Sequence, residues 1–539
     1  MCILCRGTAG EISVDGTPSD GASPWVDSLI WGGAWETDGV PTTEITVHFS
    51  DGADPRSQFT GSSYSWTVEE QDMFRDAFDL FEAVCNVTFT ITTDSNDADI
   101  HHWVVDNEQA GGFLGWHEVP GATGSAGEPV YGVFNREGSG WSDGLEQGGY
   151  GFVTIIHELG HGVGLAHPHD GGGESDGTLF PGVATAFGDY GTHNLNQGIF
   201  TTMSYNTGYE SVAPSSSSAY GYEGTPMALD VAALQELYGA NNNYEIGDNS
   251  YSLPTVNAAG TFWRCIWDAG GEDTITNAGV STGCLIDLRE ATLTAANAGG
   301  YVSRVDGIIG GFTIANGAII ENAVGGDGND VLTGNSVDND LDGGAGRDIL
   351  QGGAGADILV GGLGKDIVSY STSNAGVTVD LVAQSGSGGH ADGDNLDGFE
   401  NVYGSRHADV LTGDSSGNIL RGLAGKDTLY GGGGGDRLFG DASADRLYGG
   451  SHNDRLYGGN HNDRLYGGNH NDKLYGGNHN DLLYGGNHRD VLYGGNHNDR
   501  LSGGNHNDML YGGNHNDRLY GDRGRDVLDG GKGRDFLRG

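Results

Sequence analysis

The histidines with the clearest chemical meaning lie in the stretch YGFVTIIHELGHGVGLAHPHD, residues 150–170, which contains H-E-x-x-H-x-x-G-x-x-H. On a helix, His157 and His161 are four residues apart and share one face, so both imidazoles can reach one zinc ion. Gly164 allows a sharp turn that ends the helix, and His167 then supplies a third nitrogen ligand. The spacing predicts a zinc site with three histidine ligands and one open coordination position.

Glu158 has a separate role in this prediction. It follows the first ligand and points toward the open side of the ion, where a water molecule is expected to bind. Zinc makes this water more acidic, and Glu158 takes its proton as the water attacks a peptide carbonyl. The same carboxyl group then passes the proton to the leaving amine. The motif therefore predicts peptide-bond hydrolysis with Glu158 as the general base.

A nine-residue period fills the C-terminal part of the chain. From Gly404 to Arg538 the sequence divides into fifteen nonapeptides, most of them close to GGNHNDRLY. Leucine occupies the eighth position in every unit, and aspartate occupies the sixth in all but the unit containing Asn418. Five earlier units run from Gly325 to Ser369. Both blocks match the calcium-binding repeat G-G-x-G-x-D-x-U-x of RTX proteins.

Each position of the repeat has a physical interpretation. The first six residues form a glycine-rich turn with inward carbonyls and one carboxylate, and the last three form a short strand with leucine in the core. Calcium needs six to eight oxygen ligands, so each ion should lie between successive turns. Two units then make one coil of a right-handed parallel roll, which should unfold without calcium. The predicted calcium ligands are Asp330, Asp348, Asp357, Asp366, Asp409, Asp427, Asp436, Asp445, Asp454, Asp463, Asp472, Asp481, Asp490, Asp499, Asp508, Asp517, Asp526 and Asp535.

Eight consecutive units carry histidine at the fourth position, where the repeat pattern has glycine. Histidine tolerates a positive φ better than most residues, so the favoured interpretation is a sterically acceptable turn residue. The alternative is a pH switch, because units 18 residues apart lie one strand spacing apart, about 4.8 Å, and would form two stacks of four imidazoles. The residues are His452, His461, His470, His479, His488, His497, His506 and His515.

Further stretches make the chain similar to serralysin-type metalloendopeptidases of the metzincin clan. Pro168, directly after the third histidine, resembles the residue that marks serralysins among metzincins. The segment TTMSYN resembles their Met-turn, which implies that Met203 forms the hydrophobic floor under the zinc. Tyr205 matches the family tyrosine that ligates zinc at rest and stabilises the oxyanion during catalysis. Residues 225–241 resemble the last helix of the catalytic domain.

The resemblance implies a multidomain fold, with an α+β zincin-like (metzincin) catalytic domain followed by a parallel β-roll of RTX nonapeptide repeats. Residue patterns within the catalytic part predict strands at 45–50 and 87–92 and an amphipathic helix at 69–84. One sheet of this domain is expected to bind the substrate as an added edge strand. The predicted segments are a leader or propeptide (1–24), the catalytic domain (25–240), connecting strands (241–324), a first roll block (325–369), a non-repeat interlude (370–403) and a second roll block (404–539).

The function implied by the resemblance is that of a secreted endopeptidase, with one catalytic zinc and several structural calcium ions, acting on extracellular proteins. It also implies export by a one-step machinery. The start of the sequence lacks the apolar core of an N-terminal signal peptide, so secretion without one is expected. A monomer is also expected. The family's C-terminal export signal is not recognisable after the repeats, so it is either missing or unusual. Two alternatives remain: a calcium-dependent adhesin or surface-layer protein with a passive protease-like domain, and a metzincin that acts on one dedicated partner.

The charge of the chain is strongly acidic. The formal net charge is -49, which argues against unaided binding to nucleic acid or an anionic membrane. No run of about 18 apolar residues is present, so no membrane span is predicted. Residues 321–539 contain 18 basic and 32 acidic residues, whereas residues 1–320 contain 7 and 42. The acidity therefore lies mainly in the protease half, which suggests a surface adapted to high salt.

The five cysteines are an odd number, so at least one is unpaired unless it bridges two chains. Cys2 and Cys5 form a C-x-x-C pair, which is either a redox or metal pair or an unpaired terminal segment. A latency role, with a thiolate at the zinc's open position, is a further hypothesis. Cys265 and Cys284 are close enough in sequence to form a disulfide, and the sequence leaves both states open.

Overall fold

The computed structural model describes residues 23–31, 34–35, 42–52, 63–120, 129–170 and 180–539. The chain divides into two compact units, Met1–Asp273 with Arg289–Ile320 and Thr274–Leu288 with Glu321–Gly539. Residues 1–22 of the predicted leader, with Cys2 and Cys5, lie outside the described residues.

Among its described residues, the first unit contains a five-stranded sheet and five α-helices. The strands are β1 (Thr43–Phe49), β2 (Val87–Ile91), β3 (Ile100–Val105), β4 (Gly115–His117) and β5 (Val130–Asn135). The helices are α1 (Pro24–Asp27), α2 (Val68–Val84), α3 (Asn107–Ala110), α4 (Tyr150–Gly162) and α5 (Ala228–Tyr238). The strand order is β2-β1-β3-β5-β4. Only β4, at one edge, runs antiparallel to its neighbour. Together with the repeat strands of the second unit, this sheet confirms the predicted fold class.

Helix α2 shows how local sequence determines an element of this unit. Thr67 and Glu70 form a capping box, in which each side chain accepts a hydrogen bond from the backbone N–H of the other residue. Phe74, Phe78 and Phe81 then recur at helical spacing and are buried. The predicted helix at 69–84 is thus confirmed, with its first residue one position earlier.

Short elements complete the first unit. Trp263–Ile266 pairs in parallel with Gly311–Ile314. The remaining strands are Ser250–Ser252 and Arg304–Val305, and the 3-10 helices are Thr192–Asn194 and Ala295–Asn297. Within the described part of the chain, no helix combines the length and apolar character needed to cross a membrane.

The second unit consists mainly of two ladders of parallel strands. The first ladder contains Cys284–Asp287, Val331–Thr333, Ile349–Gln351, Asp366–Ser369, Phe399–Tyr403, Ile419–Arg421, Arg437–Ala442, Arg455–Asn460, Lys473–Asn478, Val491–Asn496, Met509–Asn514 and Val527–Lys532. The second contains Thr274–Thr276, Asn322–Gly326, Asp340–Gly346, Ile358–Val360, Leu363–Gly364, Thr378–Asp380, Ser385–Ser387, Asn395–Asp397, Val410–Thr412, Thr428–Gly432, Arg446–Ser451, Arg464–Asn469, Leu482–Asn487, Arg500–Asn505, Arg518–Arg523 and Phe536–Arg538. Within the interlude, Ser385–Ser387 pairs antiparallel with its neighbours, and Gly389–Ala391 is a 3-10 helix.

The register of the ladders confirms that two nonapeptides make one coil. In the repeats, each strand pairs with the strand 18 residues further on, as Leu456 does with Leu474 and Leu465 with Leu483. The repeat leucines from Leu411 to Leu519 are completely buried. A single file of leucines from each ladder therefore forms the core, which is thin compared with that of a globular domain.

The predicted option of a disulfide between Cys265 and Cys284 is wrong. Both residues, like Cys85, are free and buried. Cys265 lies in the first unit and Cys284 in the second, and each thiol is enclosed by the core of its own unit. Burial raises the pKa of the Cys265 thiol to about 12, so this group remains a thiol at neutral pH.

Candidate active site

Helix α4 carries the first two predicted zinc ligands and is almost entirely buried. Its residues are apolar on most sides, which is typical of a helix that crosses a domain core. The helix ends at Gly162, and Gly164 follows with a φ of 104°, a conformation that glycine adopts without strain. This turn reverses the chain and brings His167 back toward the helix.

The three predicted histidine ligands converge on one point. The Nε2 atom of His167 lies 3.1 Å from that of His157 and 3.0 Å from that of His161. On the other side of each ring, Nδ1 faces an acceptor: the Thr202 carbonyl at 2.7 Å for His157 and the Leu165 carbonyl at 2.8 Å for His161. With the hydrogen on Nδ1, all three rings direct an Nε2 lone pair at the same point.

The third ring has a carboxylate instead of a carbonyl behind it. Nδ1 of His167 lies 2.6 Å from Oδ2 of Asp170. Burial lowers the pKa of all three imidazoles, that of His161 to about 4, so they are neutral near pH 7. Three neutral Nε2 lone pairs about 3 Å apart repel one another unless a cation lies between them. This donor set fits zinc, which prefers imidazole nitrogen and tetrahedral coordination.

Glu158 occupies α4 between the two helical ligands and is 1% exposed. Strand β4 approaches it closely, because a Cβ atom added to Gly115 would lie 2.8 Å from Cγ of Glu158 and 3.2 Å from Oε1. A side chain at position 115 would therefore displace the carboxyl group. The glycine places the edge of the five-stranded sheet directly beside the predicted general base.

The segment around Met203 lies against the zinc helix. Met203 is fully buried, and its Sδ atom would lie 2.8 Å from a Cβ atom added to Gly160. Tyr205, the next residue of the predicted site, places its ring 5.7 Å from that of His157 and 4.7 Å from that of His167. The structure thus brings both residues next to the three histidines. Pro168 is buried directly after the third of them.

Comparison with known proteins places the chain in a family. The profile described as "Peptidase M10 serralysin C terminal" matches residues 229–388. "RTX calcium-binding nonapeptide repeat (4 copies)" matches five stretches between 403 and 539, of which the first four overlap. The chain is 30% identical to metallopeptidase AprA of Pseudomonas marginalis over 61% of its own length and 68% of that protein. The chain belongs to the serralysin family of metallopeptidases.

Two other family members show how the coverage varies. Metalloprotease AprA of Pseudomonas entomophila is 32% identical over 62% of this chain and 67% of its own length. Serralysin of Proteus mirabilis is 36% identical, but that alignment spans 36% of this chain and 38% of the relative. The match to RTX repeats confirms the repeat prediction, and the relatives confirm the predicted resemblance to serralysins.

Three residues that support the site in this serralysin-family chain were not predicted. Asp170 contacts a ligand, and Gly115 makes room for Glu158. Asp230, on α5, accepts hydrogen bonds from the backbone N–H of Thr202 at 2.7 Å and from the hydroxyl of Thr201 at 2.6 Å. Of the three, only Asp170 could have been predicted from the sequence, since it follows the third histidine within the same motif. The other two depend on contacts between distant segments.

The repeat aspartates present a second kind of site. Taking Asp472 as the example, Oδ1 accepts a hydrogen bond at 2.8 Å from the backbone N–H of Asp454, while Oδ2 is buried without a hydrogen-bond partner. A Cβ atom added to Gly467 would lie 2.6 Å from this Oδ2, so the first glycine of each unit leaves space at the carboxylate. The same unsatisfied Oδ2 occurs in Asp348, Asp357, Asp366, Asp427, Asp436, Asp445, Asp454, Asp463, Asp481, Asp490, Asp499, Asp508 and Asp517.

These unsatisfied carboxylate oxygens fit calcium, a hard cation that binds carboxylate and carbonyl oxygen. Four predicted ligands differ from the rest. Both carboxylate oxygens of Asp330 and Asp409 accept backbone hydrogen bonds. Asp526 and Asp535, in the last two units, are only half-buried. The arrangement with one unsatisfied oxygen is therefore found in the interior coils.

Proposed function

We propose that the chain is a zinc-dependent endopeptidase that hydrolyses peptide bonds of extracellular proteins and is stabilised by calcium in its roll. The observation that carries this proposal is the convergence of three neutral Nε2 atoms, 3.0 and 3.1 Å apart, beside the buried carboxyl group of Glu158. A passive domain needs neither this convergence nor a buried acid next to it.

His157, His161 and His167 would hold the zinc, and Tyr205 would be a further ligand at rest. When bound, zinc supplies Lewis-acid polarisation of the peptide carbonyl and makes the attacking water more acidic. The carbonyls of Thr202 and Leu165 keep two of the rings in the required tautomer. Asp170 does the same for His167 and increases the basicity of that ring.

Glu158 acts as the general base and then as the general acid. Its carboxyl group takes a proton from the attacking water and delivers it to the leaving amine. The Tyr205 hydroxyl would donate a hydrogen bond to the oxyanion, which requires the ring to move away from its position at rest. The substrate would extend the five-stranded sheet at β4, where Gly115 places the sheet edge beside Glu158.

Calcium would bind between coils of the roll, through the unsatisfied oxygens of the repeat aspartates. Secretion by a one-step machinery, a monomeric state and the predicted domain boundaries complete the proposal by family resemblance. The second candidate is a calcium-dependent adhesin or surface-layer protein, which the twenty repeat units favour. The two functions differ in whether the site turns over a substrate.

Casein hydrolysis by the full chain, supplied with zinc and calcium, tests the proposal. Glu158→Ala should lower the rate at least about a thousandfold while one zinc per chain is retained, because it removes proton transfer and leaves the ligands in place. Glu69→Ala, which removes an exposed carboxyl group from α2, is the matched control and should have wild-type activity. Equal activity of wild type and Glu158→Ala, or an inactive zinc-loaded wild type, would contradict the proposed endopeptidase function.

A further inference from the structure

The second roll block, residues 404–539, differs in charge from the chain as a whole. Residues 404–539 contain sixteen Arg and Lys residues, eighteen Asp residues and no Glu. Eleven of the aspartates, from Asp427 to Asp517, are buried repeat aspartates with an unsatisfied carboxylate oxygen. Calcium bound at those carboxylates would neutralise them. Seven acidic groups then remain against sixteen cations, so this block is cationic within a chain of net charge -49.

Seven of these cations lie in rows on the outer faces of the two ladders. They occupy the seventh position of the repeat, whose side chain is exposed while the adjacent leucine is buried. Arg437, Arg455 and Lys473 are consecutive register partners on the first ladder. Arg446 and Arg464 are partners on the second. Neighbouring cations in a row are thus separated by one strand spacing, about 4.8 Å.

The rows have no acidic partners in the roll. Within 404–539, all of which the structure describes, none of the seven side chains forms an ion pair, and the pair between Arg421 and Asp441 lies outside the rows. Like charges directly opposite each other on neighbouring strands are destabilising. A row of them on a rigid sheet therefore indicates a surface that meets an anionic partner.

A column of aromatic rings runs beside each row. Tyr457 and Tyr475 on the first ladder stack with ring centroids 4.9 Å apart and planes 3° apart, and Tyr448 and Tyr466 do so on the second. Because the rings stack on one another along the ladder, they present edges and hydroxyl groups at the surface. Each face therefore offers hydrogen-bonding hydroxyls next to a line of cations, on a flat and regular support.

We infer that the calcium-loaded roll binds a linear anionic polysaccharide, such as a polyuronate, along its Arg/Lys rows. This function goes beyond the proposed proteolysis and needs no part of the active site. A polyuronate carries one carboxylate on every sugar ring, at a repeat close to the strand spacing, and its hydroxyls match the tyrosine edges. The two faces point in opposite directions from the leucine core, so a flat membrane could engage only one. A single-stranded nucleic acid would need exposed ring faces for base stacking.

Binding of a short oligogalacturonate to the full-length Glu158→Ala chain, which avoids self-digestion, tests this inference by calorimetry. With saturating calcium, the paired substitution Arg446→Gln with Arg464→Gln, and the triple substitution Arg437→Gln, Arg455→Gln and Lys473→Gln, should each weaken binding roughly tenfold. Arg446→Lys with Arg464→Lys should retain most of the affinity. Removal of calcium should abolish binding, since the buried carboxylates then unfold the roll or keep it anionic.

The matched control is Arg489→Gln with Arg525→Gln, which removes two cations from turns instead of the ladder faces. It should change the affinity less than twofold, and hydrogen exchange of roll peptides should be unchanged in every variant. An equal loss in this control would show that net charge alone attracts the ligand and would overturn the inference. Absence of oligogalacturonate binding to the calcium-loaded chain would also overturn the inference. Equally tight binding of duplex DNA or anionic phospholipid vesicles, with the same sensitivity to the row substitutions, would refute the assignment to a polysaccharide.

Discussion

The three histidines of the candidate zinc site and seven of the eight histidines of the roll use opposite ring nitrogens. In the site, Nδ1 of His161 faces the Leu165 carbonyl and Nε2 faces the other ligands. In the roll, Nδ1 of His479 accepts a hydrogen bond at 3.2 Å from the backbone N–H of His461, one coil earlier. The hydrogen of a neutral ring is therefore on Nδ1 in the site and on Nε2 in the roll.

This difference shows that histidine content alone does not define a metal site. The roll rings are exposed and form the two predicted stacks of four, with centroids 5.0 to 5.2 Å apart. Their backbone φ is positive, between 79° and 85°, as the turn interpretation requires. In seven of the eight rings, the Nδ1 lone pair already accepts a backbone hydrogen bond from the preceding coil. Only the buried group offers free lone pairs that converge.

Removing one histidine from each group gives the largest expected difference in zinc content and in activity. His161→Ala should abolish zinc binding, measured by atomic absorption after dialysis, and lower casein hydrolysis by about a thousandfold or more. His479→Ala should leave one zinc per chain and wild-type activity, because its lone pair serves a structural hydrogen bond. A second equivalent of zinc that is lost in His479→Ala would contradict the contrast between the two tautomers.

Removal of calcium should destabilise the roll, and the loss of stability should depend on pH. Burial raises the pKa of interior repeat aspartates, from 3.8 to about 8 for Asp472 and about 9 for Asp481. A raised pKa means that the calcium-free roll binds more protons than the unfolded chain between about pH 4 and pH 9, so its stability falls as the pH rises through this range.

In chelator, hydrogen exchange of roll peptides from the full chain should therefore be slow near pH 4 and fast near pH 8, after correction for intrinsic exchange. With calcium, protection should persist at pH 8, because the ion replaces the protons. Peptides from α2 and α4 in the first unit serve as internal controls and should show less dependence on chelator. A calcium-free roll that is equally protected at both pH values would show that the carboxylates are not desolvated as described.

The parts that were predictable from the sequence depend on short-range geometry. The helical period places His157 and His161 on one face, and a nine-residue period with leucine in register requires coils of 18 residues. The unpredicted parts depend on tertiary contacts. Gly115 and Glu158 are 43 positions apart, and the choice of tautomer in the roll depends on a backbone N–H one coil away. The disulfide option failed for the same reason, since Cys265 and Cys284 belong to different units.

The smallest expected effect concerns the histidine stacks, for which the pH switch remains a prediction. Protonation of Nδ1 removes the acceptor for the backbone N–H of the preceding coil and places like charges about 5 Å apart.

Replacing one stack, His461, His479, His497 and His515, by asparagine keeps a residue that tolerates positive φ but does not titrate. The calcium midpoint of the full chain, followed by circular dichroism, should rise between pH 8 and pH 5.5 in both proteins, because protons compete at the aspartates. The rise should be about twofold larger in the wild type. An equal rise in the two proteins would assign the pH dependence to the aspartates alone and leave the histidines as turn residues.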